Sequence, residues 1–176
     1  GAFVSPKNEE LVRVFIPKSI AHIGQDAFGE HTSHVEILFE GSADLFNVLD
    51  VSLSEIKDYK YLIVGTSTTG IGDLQDDWEG FLPSFARIDF TGKKVAIFAL
   101  GDSASYSTSF AESMKVVYDE ISDKVEVVGQ VTDEGYTYDD STAVEDGMWL
   151  GLPLDEDNEY DLTEERLERW VKKKKK

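Results

Sequence analysis

No cysteine occurs anywhere in the 176 residues. Disulfides, thiolate metal sites and cysteine nucleophiles are therefore excluded, as a reducing compartment would allow, and a cytoplasmic location is the expectation. Histidine is scarce too. His22, His31 and His34 all fall in the first segment, and although His31 and His34 have i,i+3 spacing, no third ligand accompanies them. Solvated imidazoles are the plainer reading than a zinc site. No apolar run is long enough to span a bilayer, and residues 1–6 lack the charged, apolar, small-residue layout of a signal peptide. Neither G-x-x-x-x-G-K-[ST] nor G-x-G-x-x-G is present, so the two commonest phosphate-cradling fingerprints are missing.

Basic residues are few. Seventeen Lys and Arg stand against 35 Asp and Glu, a net charge of −18. Nucleic acid and anionic membranes would be repelled. Basic protein surfaces would be attracted, at rates that fall with salt, although solubility alone is also a sufficient reason for such a surface. Five of the bases are bunched at 172–176 and read as a solvated tail. The acid pairs Asp76-Asp77, Asp139-Asp140 and Asp155/Asp157 have the residue types for divalent-metal or two-carboxylate chemistry. With 35 acids in the chain, chance pairs are expected.

What is present is a core: 41% of residues are hydrophobic, too many for a disordered chain. From residue 46 onward, strand and helix patterns alternate. Strands are expected at 46–51, 61–64, 94–100, 125–131 and 148–154. A short helical turn is expected from Ser54, and helices over 73–85 and 105–123. A last helix is expected to open on an Asp161/Glu164 capping box and to bury Leu167, Trp170 and Val171. A polar insertion, 133–147, interrupts the pattern. Strands separated by helices imply a parallel sheet with right-handed crossovers, and ligands of such sheets sit at the carboxyl ends of the strands. Before residue 46, residues 12–16 and 35–39 have strand character, and 17–33 has no clear period.

Two polar loops leave carboxyl ends of expected strands. Gly65-Thr66-Ser67-Thr68-Thr69-Gly70 can supply backbone N–H groups and hydroxyls, with glycines that permit close approach. Gly101-Asp102 with Tyr106 offers backbone donors and an aromatic face. Each loop alone would pass as an ordinary polar connection, and Tyr106 alone as a helix-start core residue. Together, on neighbouring strands, they have the parts of a site for a flat heteroaromatic ring.

Several segments in order carry a resemblance: Asp58-Tyr59-Lys60-Tyr61-Leu62-Ile63-Val64-Gly65-Thr66, Gly72-Asp73-Leu74-Gln75-Asp76-Asp77-Trp78-Glu79, Asp89-Phe90-Thr91-Gly92-Lys93-Lys94-Val95-Ala96, Leu100-Gly101-Asp102, Asp133-Glu134-Gly135-Tyr136 and Leu154-Asp155-Glu156-Asp157-Asn158. Residues 46–171 resemble a long-chain flavodoxin, with 133–147 similar to the loop that splits the last strand in that group. The resemblance implies an α/β three-layer sandwich with a five-stranded parallel sheet of order 2-1-3-4-5. It also implies non-covalent FMN and low-potential, one-electron shuttling between redox enzymes, with no substrate turnover. Carried over by position, the first flavin loop is Thr66, Ser67, Thr68, Thr69 and Gly70. The second runs from Leu100, Gly101 and Asp102 through Tyr106, which stacks on the ring, to Phe110. Asp157 matches a residue near the ribityl chain. Implied partners are basic-surfaced redox proteins such as a flavodoxin/ferredoxin reductase or an oxidoreductase, with the carrier itself a monomer.

The chain departs from the family in three places. Thr69 stands where many relatives place tryptophan or another large apolar residue, and Ser67 where proline is usual. The opening phosphate loop, roughly T/S-x-T-G-x-T, has no clear counterpart. Gly29 and Thr32, in Gly29-Glu30-His31-Thr32, are its nearest fragment, and an acid beside a phosphate is unfavourable. An alternative takes 35–39 as the first strand, with Gly41-Ser42 opening the loop. Residues 14–41 also resemble one unit of the leucine-rich repeats of bacterial surface proteins, which need several units to bury a face. The expectation is one flavodoxin-like domain over 1–176 whose first 45 residues are atypical. The competing function is a binding or scaffold domain of the same fold, chimeric or divergent, that no longer takes FMN. An adhesion module would rest on 14–41 alone.

Overall fold

The computed structural model describes residues 12–16 and 43–172. Its frame is a parallel sheet built from β1 (Val12–Ile16), β2 (Ala43–Asn47), β3 (Tyr61–Thr69), β5 (Lys94–Leu100) and two short strands, β6 (Glu126–Val128) and β10 (Leu152–Leu154). The order is β2-β1-β3-β5, with β6 and β10 both lying along the far side of β5. β6 pairs with Lys94 to Ala96, and β10 with Phe98 to Leu100. The fifth position is thus one strand split in two, and the order is the expected 2-1-3-4-5.

Burial explains why the middle strands are continuous apolar runs. Leu62, Ile63 and Val64 are each at most 1% exposed, and Val95 through Ala99 at most 4%. Consecutive residues point to opposite faces, so both faces of the sheet are covered, as parallel sheets require. The covering comes from α1 (Leu53–Ile56), α2 (Asp76–Phe85), α3 (Ser113–Ile121) and α4 (Tyr160–Lys172). α2 contributes Trp78, whose indole N–H donates to the Gly65 carbonyl at 2.7 Å and whose ring meets Phe81 and Phe85 edge-on. α4 brings Trp170 edge-on to Phe98.

Several element bounds differ from the sequence expectation, each for a local reason. The strand expected at 46–51 is Ala43–Asn47, because 48–50 turn toward a true capping box at Ser52 and Glu55, which opens α1. The strand expected at 61–64 continues to Thr69, since Thr68 and Thr69 pair antiparallel with β4 (Asp73–Leu74) in a hairpin. The helix expected from 105 begins at Ser113, after turns through 103–112 and a left-handed Ala111 (φ 55°) that no helix can pass through. The strand expected over 125–131 stops at Val128, where Gly129 turns left-handed (φ 88°). Asp161 does not cap the last helix but lies inside it, one residue past its start at Tyr160.

Between β6 and β10 the chain forms a separate antiparallel sheet of β7 (Val131–Thr132), β8 (Val144–Glu145) and β9 (Met148–Trp149). This insertion is ordered around the buried Trp149, whose ring packs against Phe110, Tyr136 and Tyr138. Arg166 of α4 holds it to the body, its guanidinium 4.0 Å from the Tyr136 ring and donating to the Gly135 carbonyl at 3.1 Å. Burial pushes the Tyr136 phenol up to about 12, against the opposing pull of Arg166.

β1 is an interior strand of the frame. Val12 to Ile16 lies between β2 and β3, in parallel register with both. Among the described residues the first strand is therefore 12–16, and the alternative, 35–39, lies outside them. Of the repeat-like segment 14–41, residues 14–16 belong to β1, and the rest, with Gly29 and Thr32, lies outside the described residues.

Candidate functional site at the carboxyl ends of the strands

β3 and β5 run side by side and parallel, with Thr66 opposite Ala99 and Ser67 opposite Leu100. Their carboxyl ends therefore release the two polar loops next to each other, at the edge where such sheets hold ligands. The topology brings together the two groups of residues that were expected to share a site.

The first loop is a hairpin. Thr66, at its root, is fully buried, and its hydroxyl has no hydrogen-bond partner. Ser67 and Thr68 are half-buried. The Thr68 and Ser113 hydroxyls lie 2.9 Å apart, which ties the hairpin to the start of α3. Thr69 and Gly70 are exposed, and Gly70 takes the left-handed backbone (φ 51°) that the turn needs. Ile71, at the tip, is 80% exposed. Behind the hairpin a cavity of about 690 Å³ opens between α2 and α3, running from Thr69 past Leu82 and Val116 to Lys124.

The second loop is held differently. The Asp102 carboxylate accepts the backbone N–H groups of Ala104 and Ser105 at 3.0 and 2.9 Å. Hydrogen bonds from Ser105, from Asn158 and from the Ala104 backbone lower its pKa to about 2. The Tyr106 N–H donates to the Asp102 carbonyl at 3.0 Å. These turns leave Tyr106 44% exposed. Gly101 is obligatory: a Cβ there would stand 2.8 Å from the Ala111 nitrogen and 2.9 Å from the Phe110 ring. Phe110, expected among the ligand-binding residues, is only 1% exposed and packs on Trp149. Its side chain is a prop beneath the loop.

Asp157 is exposed on the turn after β10, and its carboxyl is raised by partial burial and by the neighbouring Asp102 and Asp155 carboxylates. Glu156, beside it, is pushed up to about 7 by burial, with the carboxylates of Asp155 and Asp157 adding to the shift and the Thr163 hydroxyl opposing it. Sequence reasoning missed the role of Asp155. It appeared there as half of a chance acid pair, whereas it is fully buried and its carboxylate accepts hydrogen bonds from Ser103, Asp157 and Asn158. The signal lay in the sequence: an acid directly following the buried run Leu152 to Leu154. Among the described residues no cluster of His, Cys, Asp and Glu is arranged to hold a metal ion, and no helix is long and apolar enough to cross a membrane.

Residues 36–170 match the flavodoxin family. The chain belongs to the flavodoxins. It is 37% identical over 155 residues to a flavodoxin of Nostoc sp., covering 88% of this chain and 85% of the relative. It is 40% identical over 141 residues to flavodoxin 1 of Azotobacter vinelandii, covering 77% and 81%. Among solved structures it superposes on a Fusobacterium nucleatum flavodoxin bound to flavin mononucleotide with a TM-score of 0.80, at 28% identity, over 95% of this chain and 98% of that one. In this flavodoxin, then, the two loops occupy the carboxyl edge of the family's sheet.

An exposed aromatic ring on a fixed turn, a glycine hairpin beside it and two buried hydroxyls with no hydrogen-bond partner, Thr66 and Ser109, match a flat heterocycle with a polar edge. No strong base lies on the described part of either loop, so neither supplies a counter-charge for a phosphate. Any such counter-charge must come from elsewhere in the chain.

Proposed function

We propose that this flavodoxin binds FMN non-covalently between the loops at 66–70 and 100–110 and works as a low-potential electron carrier without substrate turnover of its own. The observation that carries the reading is the pairing of Ser67 with Leu100 at the carboxyl edge, which sets the hairpin against the turn that bears the exposed Tyr106. Tyr106 stacks on the ring. The backbone of Thr66, Ser67, Thr68, Thr69 and Gly70 and of Leu100, Gly101 and Asp102 lines its edges, Asp157 stands by the ribityl chain, and Phe110 supports the wall from below. Gly29 and Thr32 are the nearest phosphate-loop candidates. The bound flavin supplies one-electron redox chemistry. The protein's part is to orient the ring, to exclude water from one face and to surround it with carboxylates, so that added negative charge is costly and the potential is low.

The same charge selects partners. A net charge of −18 favours basic-surfaced redox proteins such as a flavodoxin/ferredoxin reductase or an oxidoreductase, at rates that fall with ionic strength. A monomer in the cytoplasm, folded as one domain over 1–176 with an atypical first 45 residues, completes the reading.

Titrating the apoprotein with FMN while following quenching of flavin fluorescence tests the proposal. Saturable 1:1 uptake is expected, and Tyr106→Ala should weaken it by roughly 10- to 100-fold, the scale of one lost aromatic stacking contact. A folded protein that takes up no FMN would point instead to a scaffold of the same fold acting through protein contacts.

A further inference from the structure

We infer that Asp155 is the positioning residue for the flavin-facing wall: a buried carboxylate that sets Tyr106 through Ser103 and Asn158. This rests on the reading of 100–110 as a flavin loop.

Asp155 follows β10, whose last carbonyl, Leu154, accepts the Gly101 N–H at 3.1 Å. The strand thereby delivers the acid directly beneath the start of the second loop. The side chain is fully buried. One oxygen, Oδ2, accepts the Ser103 N–H at 3.0 Å and the Ser103 hydroxyl. The other, Oδ1, accepts the N–H groups of Asp157 at 3.1 Å and Asn158 at 3.0 Å. The Asn158 amide nitrogen lies 3.0 Å from both oxygens. All these neighbours donate, so the site is built for an ionised carboxylate and for nothing that carries its own N–H.

The Asn158 amide continues the chain of bonds, donating also to Asp102 Oδ1 at 2.9 Å. That oxygen is the one that gathers the N–H groups of Ala104 and Ser105, while the Asp102 carbonyl takes the N–H of Tyr106. From Asp155, two routes therefore lead to the tyrosine: one along the backbone from Ser103, the other across Asn158 to Asp102. Each buried bond to a charged group is stronger than a neutral one, and an unmet donor in this place is costly. Fully buried, Asp155 acts on the proposed ring site through the two segments it bonds, the turn at Ser103 and the backbone at Asp157 and Asn158.

The substitution to make is Asp155→Asn, which keeps the shape but turns an amide nitrogen toward donors. The expected result is FMN affinity weaker by about tenfold or more, a reduced visible circular-dichroism signal of the bound flavin, and faster hydrogen exchange at the Ser105 and Tyr106 amides of the apoprotein. In a Tyr106→Ala background the same change should cost less than about twofold, because residues acting as one unit are not additive. Should Asp155→Asn fail to fold, Ser103→Ala removes the hydroxyl arm alone; about threefold weaker binding, again lost without Tyr106, carries the same conclusion. Full affinity with an unaltered flavin spectrum in whichever variant folds would overturn the assignment, as would equal losses with and without Tyr106. Wild-type protein that binds no FMN overturns the flavin site itself, and the assignment with it.

Discussion

The two loops reach the same edge of the sheet by opposite means. The hairpin at 66–74 is held by backbone pairing, Thr68 with Leu74 and Thr69 with Asp73, and its tip carries Ile71 into solvent. The turn at 101–112 has little regular structure, yet it is pinned by buried groups: Ser103 on Asp155, and the Phe110 carbonyl on the Ser141 hydroxyl at 2.7 Å. The insertion adds two further ties, from the Asp139 and Asp140 N–H groups to the Ser107 carbonyl at 2.8 and 3.0 Å. Beyond its own ladder the hairpin is tied to the body at its base, where the Thr68 and Ser113 hydroxyls meet, and its tip is open. A loop fixed by packed and charged groups from two other segments is preorganised. The rigid wall carries the exposed tyrosine, and the adaptable wall carries the small polar residues.

Glycine substitutions should separate the two most sharply. Gly101→Ala drives a Cβ to 2.8 Å from the Ala111 nitrogen, a backbone atom in a residue already held left-handed. Overpacking of that kind costs about 1–3 kcal/mol; a lower midpoint in urea unfolding and weaker FMN binding are expected together. Gly70→Ala meets only the Asp73 carboxylate at 3.0 Å, and its cost is the left-handed backbone, about 1 kcal/mol. Because the tip is exposed, the hairpin can relax. Equal losses from the two substitutions would break the contrast between a pinned loop and a hairpin with an open tip.

Thr69→Trp sharpens the comparison from the other side. Thr69 is exposed on the hairpin, where many flavodoxins carry tryptophan, and it opens onto the cavity beside α2 and α3. A second aromatic face should strengthen FMN binding several-fold, within the range of one partly exposed stacking contact. Fluorescence titration reads the change. Unchanged affinity would mean that the hairpin, unlike the Tyr106 turn, does not face the ring.

The sequence made some of this legible and hid the rest for physical reasons. Strands buried on both faces, such as Lys94–Leu100, announce themselves as apolar runs, so the parallel sheet and the loops at its edge could be read, while the strand order came only from the family resemblance. The pinned turn could not. The tyrosine-bearing stretch 103–112 has helical periodicity, and only the buried hydrogen bonds of Ser103 and the strained Ala111 delay the helix to Ser113. Phe110 was legible as part of the loop but not as its support, because its burial depends on Trp149, 39 residues further on, in the insertion. Asp155 looked like one acid among 35, and the apolar run Leu152 to Leu154 before it, which marks where it is buried, was outweighed by the abundance of acids around it.

The smallest effect expected lies at the outer margin of the pinned loop, in Glu156. Its carboxyl is raised from 4.5 to about 7, chiefly by burial, so the folded protein holds that proton more tightly than the unfolded chain does. Stability is therefore lost as pH rises from 4.5 toward 7, and the loss is complete above it. Asp102 titrates outside this window: its depressed carboxyl, at about 2, contributes stability that disappears only as pH falls below 3.8. Glu156→Gln removes the penalty while keeping an acceptor for the Thr163 hydroxyl. Solvent screens a half-buried group, which holds the gain below about 1 kcal/mol, or roughly 1–3 °C in the melting temperature of a chain of this size. Melts of the apoprotein across pH 4.5 to 8 should show the variant and the wild type coinciding at the acid end and diverging through neutrality, with the variant the more stable. Curves that stay parallel would place Glu156 in open solvent, and the ordered margin of the pinned loop would then end at Asp155.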